Sequence, residues 1–209
     1  MRYEQIFKNI KKLDTLTQAI TTKDIPVGIV GLGLMGCSIT TCLLTANHPL
    51  VAVAPLPADL DHATDRIQEH LQGAYHEGLI HHAPQHYLSK LIITDDYKKL
   101  VDCRLVLECI IENLDFKKEV YKKIEDVVSV DALITSNTSA IPISVLQKQT
   151  RHPERFFGLH WLEPSHTTRF LEIICGDLSD KEKGKYLYDL SHYWEKEPTL
   201  LLKDIRGFI

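Results

Sequence analysis

Apolar residues recur along this chain in two alternating rhythms. Short unbroken runs appear at Val27–Val30, Pro49–Ala54, Leu91–Thr94, Arg104–Ile110, Ala132–Thr135, Arg155–Trp161, Arg169–Cys175 and Thr199–Leu202. Their length and their turn-rich borders predict buried strands. Between them, apolar positions fall at helical spacing: Met35, Ile39 and Leu43 in one stretch, and Phe116, Val120, Ile124 and Val127 in another. Asn113 or Asp115 is available to cap the latter. Asp59–Gly78 reads as a long polar helix and Lys181–Trp194 as another, while His81, His82 and His86 mark a solvated turn. Strands alternating with helices predict an α/β fold: a doubly wound, mainly parallel sheet with helices on both faces and ligands at the carboxyl ends of its strands. Ahead of it, Tyr3, Ile6, Phe7, Ile10, Leu13, Leu16 and Ile20 recur at helical spacing with Lys8, Lys11, Lys12 and Asp14 opposite. The chain thus divides into an amphipathic helical extension, 1–24, and a sheet domain, 25–209. The extension would pack on the domain or on a second copy, which makes a homodimer the candidate assembly.

The first strand runs into Gly31, Gly33 and Gly36, a G-x-G-x-x-G pattern that opens a helix. Each glycine has its own work in such a strand–turn–helix. Gly31 permits the tight turn, Gly33 lets backbone approach a pyrophosphate, and Gly36 lets helix and strand pack closely. The N–H groups at the helix start, around Leu34 and Met35, would then attract phosphate. The pattern predicts a Rossmann-type dinucleotide site.

Composition narrows the setting. Of 209 residues, 44% are hydrophobic and 25% charged, with a net charge of −4. That balance gives no reason to expect nucleic acid or an anionic membrane as partner. The five cysteines are scattered, mostly within apolar runs, and form no C-x-x-C. They read as reduced core thiols of a cytoplasmic protein, not as zinc ligands or disulfides. The His81-His82 doublet has no carboxylate or cysteine at ligand spacing, so no metal is expected. The first residues lack the apolar run of a signal peptide, and no stretch approaches membrane-spanning length.

The chemistry should sit at the carboxyl-terminal strand ends. After the fourth strand come Glu108 and Glu112; after the fifth, Ser136-Asn-Thr-Ser-Ala140; after the sixth, His160 followed by Trp161-Leu-Glu163-Pro164. A lone histidine there is more often a structural hydrogen-bonder, and a Ser/Asn/Thr cluster is usually turn chemistry. Glu172 is harder to dismiss, because it interrupts the apolar strand Phe170–Cys175, and a buried carboxylate is costly without a partner. His160 on the neighbouring element is the obvious one. Such a pair would fix the imidazole tautomer and support its protonation, as a base removing a hydroxyl proton requires. A structural His–Glu pair is the competing reading.

Taken together, Gly31-Leu-Gly-Leu-Met-Gly36, Glu108-Cys-Ile-Ile-Glu-Asn113, Ser136-Asn-Thr-Ser139, Gly158-Leu-His160 and Gly207-Phe-Ile209 resemble the motifs of the L-3-hydroxyacyl-CoA dehydrogenases, in order and spacing, from about Val27 onward. The resemblance implies NAD as cofactor and NAD-dependent oxidation of the 3-hydroxyl of an (S)-3-hydroxyacyl-CoA, with the acyl-CoA held between this domain and a helical carboxyl-terminal one. It implies His160 as catalytic base, Glu172 as the carboxylate orienting it, and Ser139 as hydrogen-bond donor to the substrate oxygen. It further implies that Gly31, Gly33, Leu34, Met35 and Gly36 hold the pyrophosphate, with Glu112, Lys117 and Asn137 nearer the nicotinamide.

The chain departs from that pattern at several positions. Ala54 stands where relatives end the second strand in an acid that binds the adenosine ribose. Losing that bond would weaken cofactor binding by roughly 1.5–3 kcal/mol. Glu163 adds an acid after His160. The long helix after the second strand carries Ala63 and little positive charge beyond Arg66, where the family contacts CoA. A small non-CoA 3-hydroxy acid is therefore an alternative substrate, and a nucleotide-binding module without catalysis is an alternative function. In the family, Gly-Phe-Ile precedes a catalytic asparagine and a small helical domain, both expected beyond Ile209.

Overall fold

The computed structural model describes residues 25–204; the amphipathic extension 1–24 and Gly207-Phe-Ile209 lie outside them. Strands β1 (Val27–Val30), β2 (Leu50–Val53), β3 (Leu91–Thr94), β4 (Leu105–Glu108), β5 (Leu133–Ser136), β6 (Phe156–Trp161), β7 (Phe170–Cys175) and β8 (Glu197–Leu201) form one eight-stranded sheet. Its order is β3-β2-β1-β4-β5-β6-β7-β8. The helices are α1 (Leu34–Thr45), α2 (Pro57–His76), α3 (Pro84–Leu88), α4 (Leu114–Glu125), α5 (Ile143–Leu146) and α6 (Lys181–Ser191).

The apolar runs became strands because both sheet faces are covered, so alternate residues enter two separate cores. On one face Ile29, Leu50, Leu107 and Leu159 meet Ile39 and Leu43 of α1. On the other, Val30, Val106 and Ile134 meet Val120, Tyr121 and Ile124 of α4. The long polar helix α2 turns Ala63, Ile67, Leu71 and Ala74 inward at helical spacing and leaves most of its charges in water. Ala63 is thus fully buried, in keeping with an alanine that offers CoA no contact. Asn113 caps α4, its side-chain oxygen accepting the Phe116 N–H at 2.9 Å. The His-rich segment is not only a turn: Pro84 at the first helical position starts a short helix that contains His86.

Every neighbouring pair in the sheet is parallel except β6–β7. A parallel return needs a crossover helix, and the eight-residue connection between Trp161 and Phe170 has none, so β7 must run back beside β6. This antiparallel register sets His160 directly opposite Glu172. The sheet reverses direction of growth at β1, which lies between β2 and β4, and the crevice between β1 and β4 is where open α/β sheets take their ligands. Among the described residues no helix is long and apolar enough to cross a membrane.

Candidate functional site

The glycine turn lies at the mouth of that crevice. Gly31 has φ of +104°, a left-handed conformation open to glycine at little cost, and its N–H bonds Val53 O at 2.9 Å. A Cβ at Gly36 would stand 1.9 Å from Gly31 O, so helix and turn touch there through backbone alone. A Cβ at Gly33 would meet nothing within 4 Å, which leaves open space where a ligand would approach. The N–H groups of Leu34, Met35 and Gly36 have no intrahelical acceptor, no side chain caps them, and no acid occupies the first turn. That end of α1 therefore suits an anion. These residues fit a dinucleotide at its pyrophosphate. At the end of β2, Ala54 is buried and offers only a methyl group.

Across the crevice, β4 ends in a buried charge cluster. Glu108 has no exposed surface, and its carboxylate takes four donors: Ile110 N–H and Lys117 Nζ at 2.7 Å on one oxygen, Tyr121 hydroxyl at 2.7 Å and Ser136 hydroxyl at 2.8 Å on the other. Burial pushes the Tyr121 hydroxyl well above its ordinary pKa, with the Glu108 charge next in importance, so it remains a donor. Lys117 is 1% exposed, and its ammonium lies 3.5 Å from Glu112 as well. Its positive charge is thus shared by two carboxylates. Removing one partner of such a pair strands a buried charge. Glu108→Ala is expected to lower the unfolding free energy by about 3–5 kcal/mol, read by urea denaturation. A change below about 1 kcal/mol would mean that Glu112 alone balances Lys117.

Glu112 carries the network to the next loop. Its other oxygen accepts Thr138 Oγ1 at 2.7 Å and the Ser139 N–H at 2.8 Å. Asn137 is held from both sides: its N–H donates to Glu108 O at 2.8 Å, and its side-chain oxygen accepts the Trp161 N–H at 2.9 Å. Ser139 Oγ then stands 3.0 Å from His160 Nε2, and His160 Nδ1 stands 2.7 Å from a Glu172 oxygen. Glu172 is fully buried and the His160 side chain 12% exposed. With Glu172 ionised, Nδ1 donates to it, and Nε2 is left as a proton acceptor facing Ser139. The loops after β4 and β5, helix α4 and the end of β6 thus bring Glu112, Lys117, Asn137, Ser139 and His160 into one network. Glu163 lies on the exposed connection after β6, and its field is felt at Cys37 and His166.

Glu108, in sequence only a strand-end candidate, is the hub of this network. Its signal is the same as that of Glu172: a carboxylate interrupting an apolar run needs buried partners. Among the described residues all five cysteines are free, and no group of three or more metal-ligating side chains is assembled. Burial pushes the Cys37 thiol up to about 11, so it is inert at neutral pH.

The profile described as "3-hydroxyacyl-CoA dehydrogenase, NAD binding domain" matches residues 26–205. A probable 3-hydroxybutyryl-CoA dehydrogenase of Deinococcus radiodurans is 28% identical over 182 residues, covering 87% of this chain and 65% of its own length. The 5-formyl-3-hydroxy-2-methylpyridine 4-carboxylate 5-dehydrogenase of Mesorhizobium japonicum is 29% identical, covering 88% and 59%. The crystal structure of (S)-3-hydroxybutyryl-CoA dehydrogenase from Ralstonia eutropha superimposes with a TM-score of 0.83 at 27% identity, covering 88% of this chain and 65% of that one. The chain therefore spans about three-fifths of the length of these relatives. It belongs to the 3-hydroxyacyl-CoA dehydrogenase family, as that family's NAD-binding domain.

Proposed function

We propose that the chain provides the cofactor site and the proton-accepting apparatus of an NAD-dependent dehydrogenase that oxidises the 3-hydroxyl of an (S)-3-hydroxyacyl-CoA to a 3-oxoacyl-CoA. The observation that carries the reading is the relay Ser139 Oγ–His160 Nε2–Glu172, at 3.0 and 2.7 Å, at the same carboxyl-terminal edge of the parallel strands as the glycine turn. His160 Nε2 takes the hydroxyl proton. Glu172 holds the ring in the productive tautomer and supports the imidazolium that forms. Ser139 donates a hydrogen bond to the substrate oxygen, where charge changes during reaction. When bound, NAD supplies the hydride acceptor. Gly31, Gly33, Leu34, Met35 and Gly36 hold its pyrophosphate by backbone. Glu112, Lys117 and Asn137 order the wall on the nicotinamide side, chiefly by fixing the Ser139 loop. A cytoplasmic location and assembly as a homodimer belong to the same reading.

A second substrate class has two supports. The Mesorhizobium japonicum relative is named for a small pyridine carboxylate. The polar helix α2 carries Asp59, Asp61, Asp65 and Glu69 against Arg66 alone, a poor surface for CoA phosphates. Turnover of 3-hydroxybutyryl-CoA and of free 3-hydroxybutyrate, compared at the protein's full natural length, separates the two. The main reading expects kcat/KM at least about a hundredfold higher with the thioester, a transition-state difference of roughly 3 kcal/mol. Equal or reversed preference would replace CoA with a small acid.

A further inference from the structure

Resting on the dinucleotide site described above, we infer that this chain does not discriminate between NAD and NADP, because Ala54 removes the group that makes that choice. In dinucleotide-binding sheets a carboxylate just beyond the second strand accepts hydrogen bonds from the ribose hydroxyls, and an arginine nearby accommodates a 2′-phosphate. The same carboxylate would repel that phosphate.

The register identifies the residue at that place. β2 pairs with β1 from Leu50 opposite Val27 to Val53 opposite Val30, and Ala54 is the next residue. Val53 O accepts the N–H of Gly31, so the end of β2 is bonded directly to the first glycine of the turn. The Ala54 N–H bonds Thr94 O at the end of β3, at 2.9 Å. Its methyl is 1% exposed and joins the apolar core that contains Leu32 and Ala63. Pro55, Leu56, Pro57 and Ala58 follow without a side chain that could bond a ribose hydroxyl.

Arg66 is the first lysine or arginine after Ala54 in sequence, and it is engaged at Cys37 of α1, where its charge and a side-chain hydrogen bond both pull the thiol pKa down while Asp59 acts in the opposite direction. Beyond β3, Asp95 and Asp96 are balanced by Lys98 and Lys99, and Asp96 is engaged in capping Lys98 N–H. Among the described residues, the end of β2 therefore has no carboxylate at position 54 to grip the ribose and repel phosphate, and no arginine in the four residues that follow to accommodate one. The contacts of the glycine turn, which NAD and NADP share, carry the affinity.

The test is fluorescence titration of the chain with NADH and with NADPH, each repeated on Ala54→Asp. Dissociation constants within about tenfold of each other are expected for the wild type. Ala54→Asp is expected to tighten NADH by about tenfold or more and to weaken NADPH, opening a gap of about a hundredfold. A wild-type preference of more than about tenfold for either dinucleotide overturns the inference but leaves cofactor binding intact. A folded Ala54→Asp with an unchanged ratio overturns the assignment of selection to position 54. Binding of neither dinucleotide overturns both the inference and the cofactor reading. Should Ala54→Asp not fold, the wild-type ratio decides alone.

Discussion

His160→Gln is expected to lower kcat by about 10²- to 10⁴-fold while leaving NADH affinity within about twofold of wild type. Glutamine is close in length to histidine and can still donate toward Glu172, so the buried carboxylate keeps a partner and the β6–β7 pairing persists. What glutamine lacks is a basic nitrogen at the position of Nε2, 3.0 Å from Ser139 Oγ. Proton removal is therefore lost and binding is spared. Steady-state kinetics paired with a NADH titration separates the two effects. A parallel collapse of cofactor binding would show that the His160–Glu172 pair is holding the fold and not accepting a proton.

The second large effect concerns the glycine turn. Gly36→Ala places a methyl carbon 1.9 Å from Gly31 O. Backbone, not a flexible side-chain tip, is in the way, so α1 must move off β1. Overpacking of this kind costs about 1–3 kcal/mol, and the upper end applies because the obstacle cannot rotate away. The same shift pulls the first-turn N–H groups from the pyrophosphate, and NADH affinity should fall by about a hundredfold, or roughly 2.7 kcal/mol. Gly33→Ala is the instructive contrast. Its Cβ meets nothing within 4 Å, so stability should stay within about 0.5 kcal/mol of wild type, while the methyl occupies the space through which a pyrophosphate approaches. Loss of binding without loss of stability at position 33, and loss of both at position 36, is the expected pair of results. Thermal unfolding and NADH titration of the two variants provide the check. Intact NADH binding in both would remove the turn from the cofactor site.

Much of this arrangement was legible in the residues because it depends on local rules. The strands could be read since a sheet covered on both faces needs continuous apolar runs, and the run from Val27 to Val30 followed by three glycines leaves few alternatives. The His160–Glu172 pairing could be read from one charge in an apolar strand. Its geometry could not, because the direction of β7 is decided by a connection too short for a crossover, and only that direction brings the two side chains face to face. The burial of Ala63 was likewise out of reach: helical period tells that one face turns inward, but α2 is polar enough that the choice of face depends on what packs beneath it. Short helices such as Pro84–Leu88 and Ile143–Leu146 have too few residues for periodicity to register. The Glu108 hub draws on Lys117, Tyr121 and Ser136, from two elements besides its own. One of its members was visible as an odd charge, while the assembly emerged only when α4 and β5 closed around it.

The Ser139–His160–Glu172 relay is proposed to serve a hydride transfer at the cofactor held by the glycine turn. The most direct test follows NADH absorbance on addition of acetoacetyl-CoA to the protein at its full natural length. The account predicts stoichiometric consumption of NADH with formation of (S)-3-hydroxybutyryl-CoA, abolished by His160→Gln. Tight NADH binding with no consumption, or consumption undiminished in His160→Gln, would contradict it.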